Sequence, residues 1–194
     1  MNILKSLPIN ETKLKILFEI YAEKEDYLRN IEKKTKINPS LLSRNLRKLE
    51  EAKILHKTKK ANGLFYTLTK ESAAFLIPFL ENYHLEKIKE KHNEIKELLS
   101  LIETNKSIFD ISNKIILFGS FVAGEITKES DIDLLFVTKE KNKIMQWCRE
   151  TSFIINRKIN PIIYFPQKYK SELKNKEPFL SSIITKIKNR AIVK

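Results

Sequence analysis

The sequence predicts an α+β protein: three helices and a hairpin, a helical spacer, then a small mixed sheet. Three observations lead there. Apolar residues recur at helical spacing from residue 10 to 49 and again from 70 to 104, and between these stretches two β-prone runs flank an Asn-Gly turn. Only three glycines occur in 194 residues, and two of them fall in the single segment Leu117–Asp133. Glycine this scarce marks places where the backbone needs a positive φ or where another group approaches closely.

Residues 10–21 read as the first helix, with Asn10 as N-cap and Leu14, Leu17, Phe18 and Tyr21 at helical spacing. A second, short helix covers Tyr27–Thr35. The third lies within Ile37–Ala52, capped by Asn38 with Pro39 at its first helical position. Ile54–Thr58 and Leu64–Leu68 then flank Lys59-Lys60-Ala61-Asn62-Gly63 as a hairpin. Over about residues 8–70 this order resembles a winged helix-turn-helix domain, assigned here to 1–70. At about 100° per residue, Leu42, Leu46 and Leu49 share one side of the third helix. Ser40, Ser43, Arg44 and Arg47 lie opposite, and Lys48 joins them as a candidate DNA contact. Arg pairs bidentately with guanine and Ser reaches base or phosphate, which suits a helix in the major groove. Lys57, Lys59 and Lys60 sit at the wing, where phosphate contacts would fall. The same fold also serves as a protein-interaction module.

From Lys70 to Thr104 the chain reads as a helix, interrupted or bent near Pro78. Leu85, Ile88, His92, Ile95, Leu99 and Ile102 form a seam at spacings of three and four, with His92 its one polar member. That seam either pairs with its copy, giving a homodimer through residues 80–102, or packs on the chain's own C-terminal domain. The spacer is assigned to 71–108 and the last domain to 109–194.

Lys114–Phe118 reads as a strand that meets Gly119-Ser120, the opening of a short helix whose free N–H groups favour phosphate oxygens. Gly124 is expected to let the following turn pack closely. Ser130-Asp131-Ile132-Asp133 then leads into a second strand. Period-two alternation puts Asp131 and Asp133 on one face and Ile132 and Leu134 on the other. Two adjacent carboxylates repel unless a cation bridges them, and Mg²⁺ (or Mn²⁺) shared with a nucleoside triphosphate is the natural partner.

Gly119-Ser120, ten intervening residues, then Asp131-Ile-Asp133 resembles the signature of the DNA polymerase β nucleotidyltransferase superfamily, nearest its small prokaryotic branch. The resemblance covers about residues 110–194, with strands near 114–118, 131–137 and 159–165. It implies that Gly119, Ser120, Gly124 and Ser130 bind the nucleotide, ATP among the candidates. It implies that Asp131 and Asp133 hold the metal and carry catalysis, and that a nucleoside monophosphate passes to a hydroxyl acceptor. Some members of the branch are fused to winged helices and some act as antitoxins, which makes a toxin-like protein partner one expectation. The family usually carries a third carboxylate on a later strand. No acid occurs here between Glu150 and Glu172, and Asn160 is the nearest polar residue. Asn ligates through its carbonyl but accepts no proton at neutral pH, so nucleotide binding should survive better than catalysis. The alternative is a transcriptional regulator whose transferase domain only senses nucleotide.

A net charge of +13 favours polyanionic partners, nucleic acid first, and residues 1–75 hold 16 Lys+Arg against 9 Asp+Glu. One cysteine excludes an internal disulfide and suits a reducing, cytoplasmic setting. No apolar run approaches membrane-spanning length. The opening Met1–Asn10 lacks a signal-peptide core. After Lys158–Phe165, read as the third strand, Tyr169, Lys170 and Lys174 give a basic helical surface, and Pro178–Lys188 is amphipathic core packing.

Overall fold

In the computed structural model residues 9–61, 63–185 and 187–194 are described, and they divide into two compact units with the boundary between Tyr83 and His84. Residues 1–8, where no signal-peptide core was expected, the Asn62 corner of the hairpin and Lys186 of the amphipathic run lie outside the described residues.

The first unit opens with α1 (Glu11–Glu23), β1 (Asp26–Tyr27), α2 (Leu28–Thr35) and α3 (Pro39–Glu51). It continues with β2 (Leu55–Lys60) and β3 (Gly63–Leu68). Both predicted caps are made: Asn10 Oδ1 accepts from Lys13 N and Asn38 Oδ1 from Ser40 N, each at 3.0 Å. An Asn cap contributes about 1 kcal/mol to a helix start. Ile16, Leu17, Ile20, Ile31, Leu42, Leu46 and Leu49 are all fully buried, so three helices share one core. The sheet order is β1-β3-β2, antiparallel throughout, which completes a winged-helix arrangement. Strand β1 was not foreseen, because two residues carry no periodicity. It is pinned by buried Asp26, whose carboxylate accepts from Tyr27 N and Asn30 Nδ2 and pairs with Lys34 at 3.2 Å.

Helix α4 (Lys70–Lys91) runs past Pro78 without interruption. The break falls instead at His92, an extended residue (φ −135°, ψ 101°) that begins α5 (Asn93–Thr104). The apolar seam is spoken for: Leu85, Ile88, Ile95, Leu99 and Ile102 are buried in one cluster with Ile115, Leu117, Leu134 and Phe136. This is the packing on the chain's own C-terminal domain that the sequence offers as one alternative. A homodimer through 80–102 cannot use these side chains without opening that core.

The second unit adds α6 (Lys106–Ile111), β4 (Ser112–Phe118), α7 (Ser120–Ala123), β5 (Ile132–Thr138) and α8 (Lys141–Ile154). Next come β6 (Ile159–Tyr164), α9 (Pro166–Lys174), α10 (Pro178–Ile184), a 3₁₀ turn at Ile187–Asn189 and β7 (Arg190–Ile192). The sheet order is β6-β5-β4-β7; β5 and β6 run parallel and the other neighbours antiparallel, so the sheet is mixed as expected. Strand β7 is an addition to the three predicted strands.

Alternation along the strands builds a core on each face of the sheet. Ile115, Leu117, Ile132, Leu134 and Phe136 pack with Ile144, Trp147 and Cys148 of α8, while Ile116, Phe118, Leu135 and Val137 pack with Tyr169 of α9 and Leu180 and Ile183 of α10. Tyr169 is therefore a core residue, not part of a basic surface, and its burial pushes the phenol pKa up. Cys148 is 2% exposed, and burial pushes its thiol up to about 12. Among the described residues no helix is long and apolar enough to cross a membrane.

Candidate functional site

Strands β5 and β6 start level with each other, and that register creates a pairing no single-strand reading reveals. Ile132 stands beside Ile159 and Asp133 beside Asn160, and Ile132 N donates to Lys158 O at 2.8 Å. By alternation Asp131 and Asp133 share one face, the face of Leu135 and Val137 further along the strand. Each carboxylate has a lateral partner on β6 or its approach. Lys158 Nζ donates to Asp131 Oδ2 at 2.5 Å, and Asn160 Nδ2 donates to Asp133 Oδ1 at 2.8 Å. Both acids stay partly accessible, the Asp131 side chain at 34%.

Gly119 completes the corner. It follows Phe118, whose strand partner is Asp133, and it has φ +76° and ψ −152°. A Cβ there would lie 2.2 Å from Asp133 Oδ2 and 3.1 Å from its Cγ. The glycine is thus needed twice over, for its dihedral and for the carboxylate pressed against it. Ser120 is the first residue of α7, partly buried, and its carbonyl accepts from Gly124 N at 2.9 Å. Gly124 corrects an expectation. Nothing lies within 4 Å of where its Cβ would be, so close packing does not require glycine there; the left-handed dihedral (φ +78°, ψ 21°) that ends α7 does. Ser130 spends its hydroxyl on the loop, accepting from Thr127 N at 2.8 Å.

That loop is clamped by Arg157, which sequence reading missed. Its Nη1 donates to Lys128 O at 2.6 Å and to Ser130 O at 3.2 Å. Its guanidinium lies 5.8 Å from the Phe121 ring centre and pairs with Glu94 at 3.6 Å. Arg157 positions the segment that delivers Asp131. Lys158 was also missed, although Lys158/Asn160 repeats the i, i+2 spacing of Asp131/Asp133 and could have been found by aligning the two strand starts.

The donor set suits a hard divalent cation. Two carboxylates and one amide are all oxygen donors, and Mg²⁺ is commonly held by one or two carboxylates together with substrate phosphates. Among the described residues no cluster of three His, Cys, Asp or Glu exists to make an all-protein cage.

On the first unit Ser40, Ser43, Arg44, Arg47 and Lys48 are all exposed along α3, opposite buried Leu42, Leu46 and Leu49. Arg47 leans on Glu51 at 3.0 Å while remaining 80% exposed. At the hairpin Lys57 pairs with Glu50 at 2.8 Å and Lys60 with Glu25 at 2.6 Å. The Glu50 hydrogen bond holds the Lys57 ammonium above its ordinary pKa. A groove beside the start of α3 is lined by Arg29, Lys33, Lys36 and Asn38, adding three exposed cations that the sequence reading did not select.

Residues 95–194, about half of the chain, match the family model described as Nucleotidyltransferase domain. The Methanocaldococcus jannaschii protein named "Putative protein adenylyltransferase" is 34% identical over 86 residues, which are 41% of this chain and 78% of the relative. Among solved structures, HlyU from Vibrio cholerae is similar at 26% identity and a TM-score of 0.38, over 42% of this chain and 88% of that one. A MarR mutant from E. coli complexed with operator DNA is similar at 23% identity and a TM-score of 0.33, over 37% of this chain. The chain spans 54% of that MarR chain, about half its length.

Proposed function

Because the chain belongs to the nucleotidyltransferase domain family, we propose that it is a metal-dependent transferase that passes AMP from ATP to a protein hydroxyl and is carried to DNA by its winged helix. One observation carries the reading: Gly119 is folded against Asp133 so tightly that no side chain fits, with Asp131 beside it on the same face. In this reading the turn at Gly119 accepts phosphate and the two acids beside it hold the metal. The choice of a protein acceptor rests on the name of the Methanocaldococcus jannaschii relative.

In this reading the N-terminal turn of α7 and the Ser120 hydroxyl grip the triphosphate, and Asp131 and Asp133 hold Mg²⁺ or Mn²⁺. A bound divalent cation supplies charge neutralisation on the phosphates and aligns the attacking and leaving oxygens. The acceptor oxygen bonds the α-phosphorus, the bond to the bridging oxygen breaks, and pyrophosphate leaves. Asn160 beside Asp133 takes no proton, so the hydroxyl proton passes to water without a protein base. That same residue favours a second reading, a regulator that binds nucleotide and transmits its presence to the winged helix.

Incubation with α-labelled ATP, Mg²⁺ or Mn²⁺ and a lysate of the source cells separates the two. Wild-type protein should label a protein band, and Asp131→Asn/Asp133→Asn should reduce labelling by about a thousandfold. Nucleotide binding without any label supports the regulator; label retained in the double variant removes the site. DNA affinity is a separate arm. Arg44→Ala and Arg47→Ala should each cost about 1–3 kcal/mol of discrimination between sequences. Lys59→Ala should weaken all sequences alike and lower the salt slope by about one. Unchanged DNA affinity in all three variants would remove the DNA-reading role.

A further inference from the structure

The carboxylate pair carries its own built-in cation. The face bearing Asp131 and Asp133 has two acids, and the residues level with them across the parallel pair are Lys158 and Asn160. One is a positive charge bonded to Asp131, the other a neutral amide bonded to Asp133. This local set sums to one net negative charge. A set with a third carboxylate in place of Asn160 and no lysine would carry three.

Resting on the nucleotide-binding reading above, we propose that this is a one-cation site in which Lys158 stands in for a second metal and becomes a direct ligand of the nucleotide's phosphates. Several observations carry it. The Lys158 side chain is 73% exposed and its ammonium bonds Asp131, so it can swing to a phosphate oxygen without disturbing the core. Its neighbour Arg157 is committed to Lys128 O and Ser130 O and cannot take that part. With Asn160 beside Asp133 in place of a third acid, no group of three acidic ligands exists among the described residues, and two carboxylates serve one divalent ion better than two. Lysine suits the role because its ammonium is a compact charge on a flexible stem, free to trade one oxygen partner for another.

The exchange predicts opposite signs for two affinities. With no nucleotide present, Lys158 competes with a divalent ion for Asp131; with nucleotide present, it helps hold the phosphates. In the purified full chain, Lys158→Ala should therefore bind Mn²⁺ alone about fivefold more tightly and Mg²⁺-ATP about tenfold more weakly. Lys158→Arg should keep nucleotide affinity within about threefold of wild type. Titration of Mn²⁺ by its electron-spin signal in the presence of ATP should saturate at one ion per chain. Thermal unfolding of each variant reports the fold separately.

A purely structural role for Lys158 would move both affinities in the same direction, and that result overturns the proposal. So does a stoichiometry of two Mn²⁺ per chain, or a Lys158→Ala protein that binds both ligands like the wild type. A wild type that binds neither Mn²⁺ nor ATP overturns the functional reading itself, and this proposal falls with it.

Discussion

Gly119→Ala should abolish nucleotide binding, and its separate cost in stability should be reversed in part by removing Asp133. The added methyl would sit 2.2 Å from Asp133 Oδ2, far inside contact distance, and the backbone holds φ +76° where a side chain is strained. The dihedral costs about 1–2 kcal/mol and stays whatever the neighbour is. The clash is different in kind, because it vanishes when Asp133 is shortened. In a double-variant cycle on thermal stability, Gly119→Ala and Asp133→Ala should be non-additive by about 1–2 kcal/mol, the pair being more stable than the sum of the singles. Additive effects would mean that the backbone relaxes away from the carboxylate, and the tight corner would lose its standing as the feature that shapes the site. Nucleotide titration alongside should show no saturable binding for Gly119→Ala at concentrations that fill the wild type.

Asn160→Asp should raise the rate of nucleotidyl transfer by about a hundredfold, the low end of what a positioned general base contributes. Asn160 already lies beside Asp133 across the parallel strands, so the substitution places a carboxylate level with the existing one without moving the backbone. It also replaces the 2.8 Å hydrogen bond to Asp133 with two like charges. The variant should therefore unfold at lower temperature than wild type in a chelator and recover when Mg²⁺ is added. A rate unchanged from wild type, together with that Mg²⁺-dependent recovery, would show that the carboxylate is in place and that proton removal is not what limits the reaction.

Most of the fold was legible because it depends on local signals. Asn10 and Asn38 announce helix starts through side chains that bond within three residues. The buried face of α3 follows from one periodicity. What escaped was decided by partners distant in sequence. Strand β1 exists because Asp26 and Tyr27 meet Tyr66 and Phe65. Strand β7 exists because it lies along Ile116–Phe118. Pro78 looks like an interruption in isolation, yet α4 continues past it, and the discontinuity comes at His92, whose ring packs edge-on against Phe121 at 5.4 Å. At the candidate site the Gly-Ser and Asp-x-Asp spacing was visible, while Lys158 was not. Its relation to Asp131 spans 27 residues and exists only once two strands are laid in parallel register.

The chain's lone thiol has a practical consequence. Cys148 is enclosed in the core and held protonated by a pKa of about 12, so maleimide reagents should pass it by in the native protein. A cysteine introduced at an exposed position will then be the single labelling site without first removing the native one. Ser43→Cys on α3 and Phe153→Cys on α8 would place one dye on each unit, at side chains open to solvent. Energy transfer between those dyes would report, in solution and in real time, whether ATP changes the distance from α3 to the sheet that carries the two aspartates.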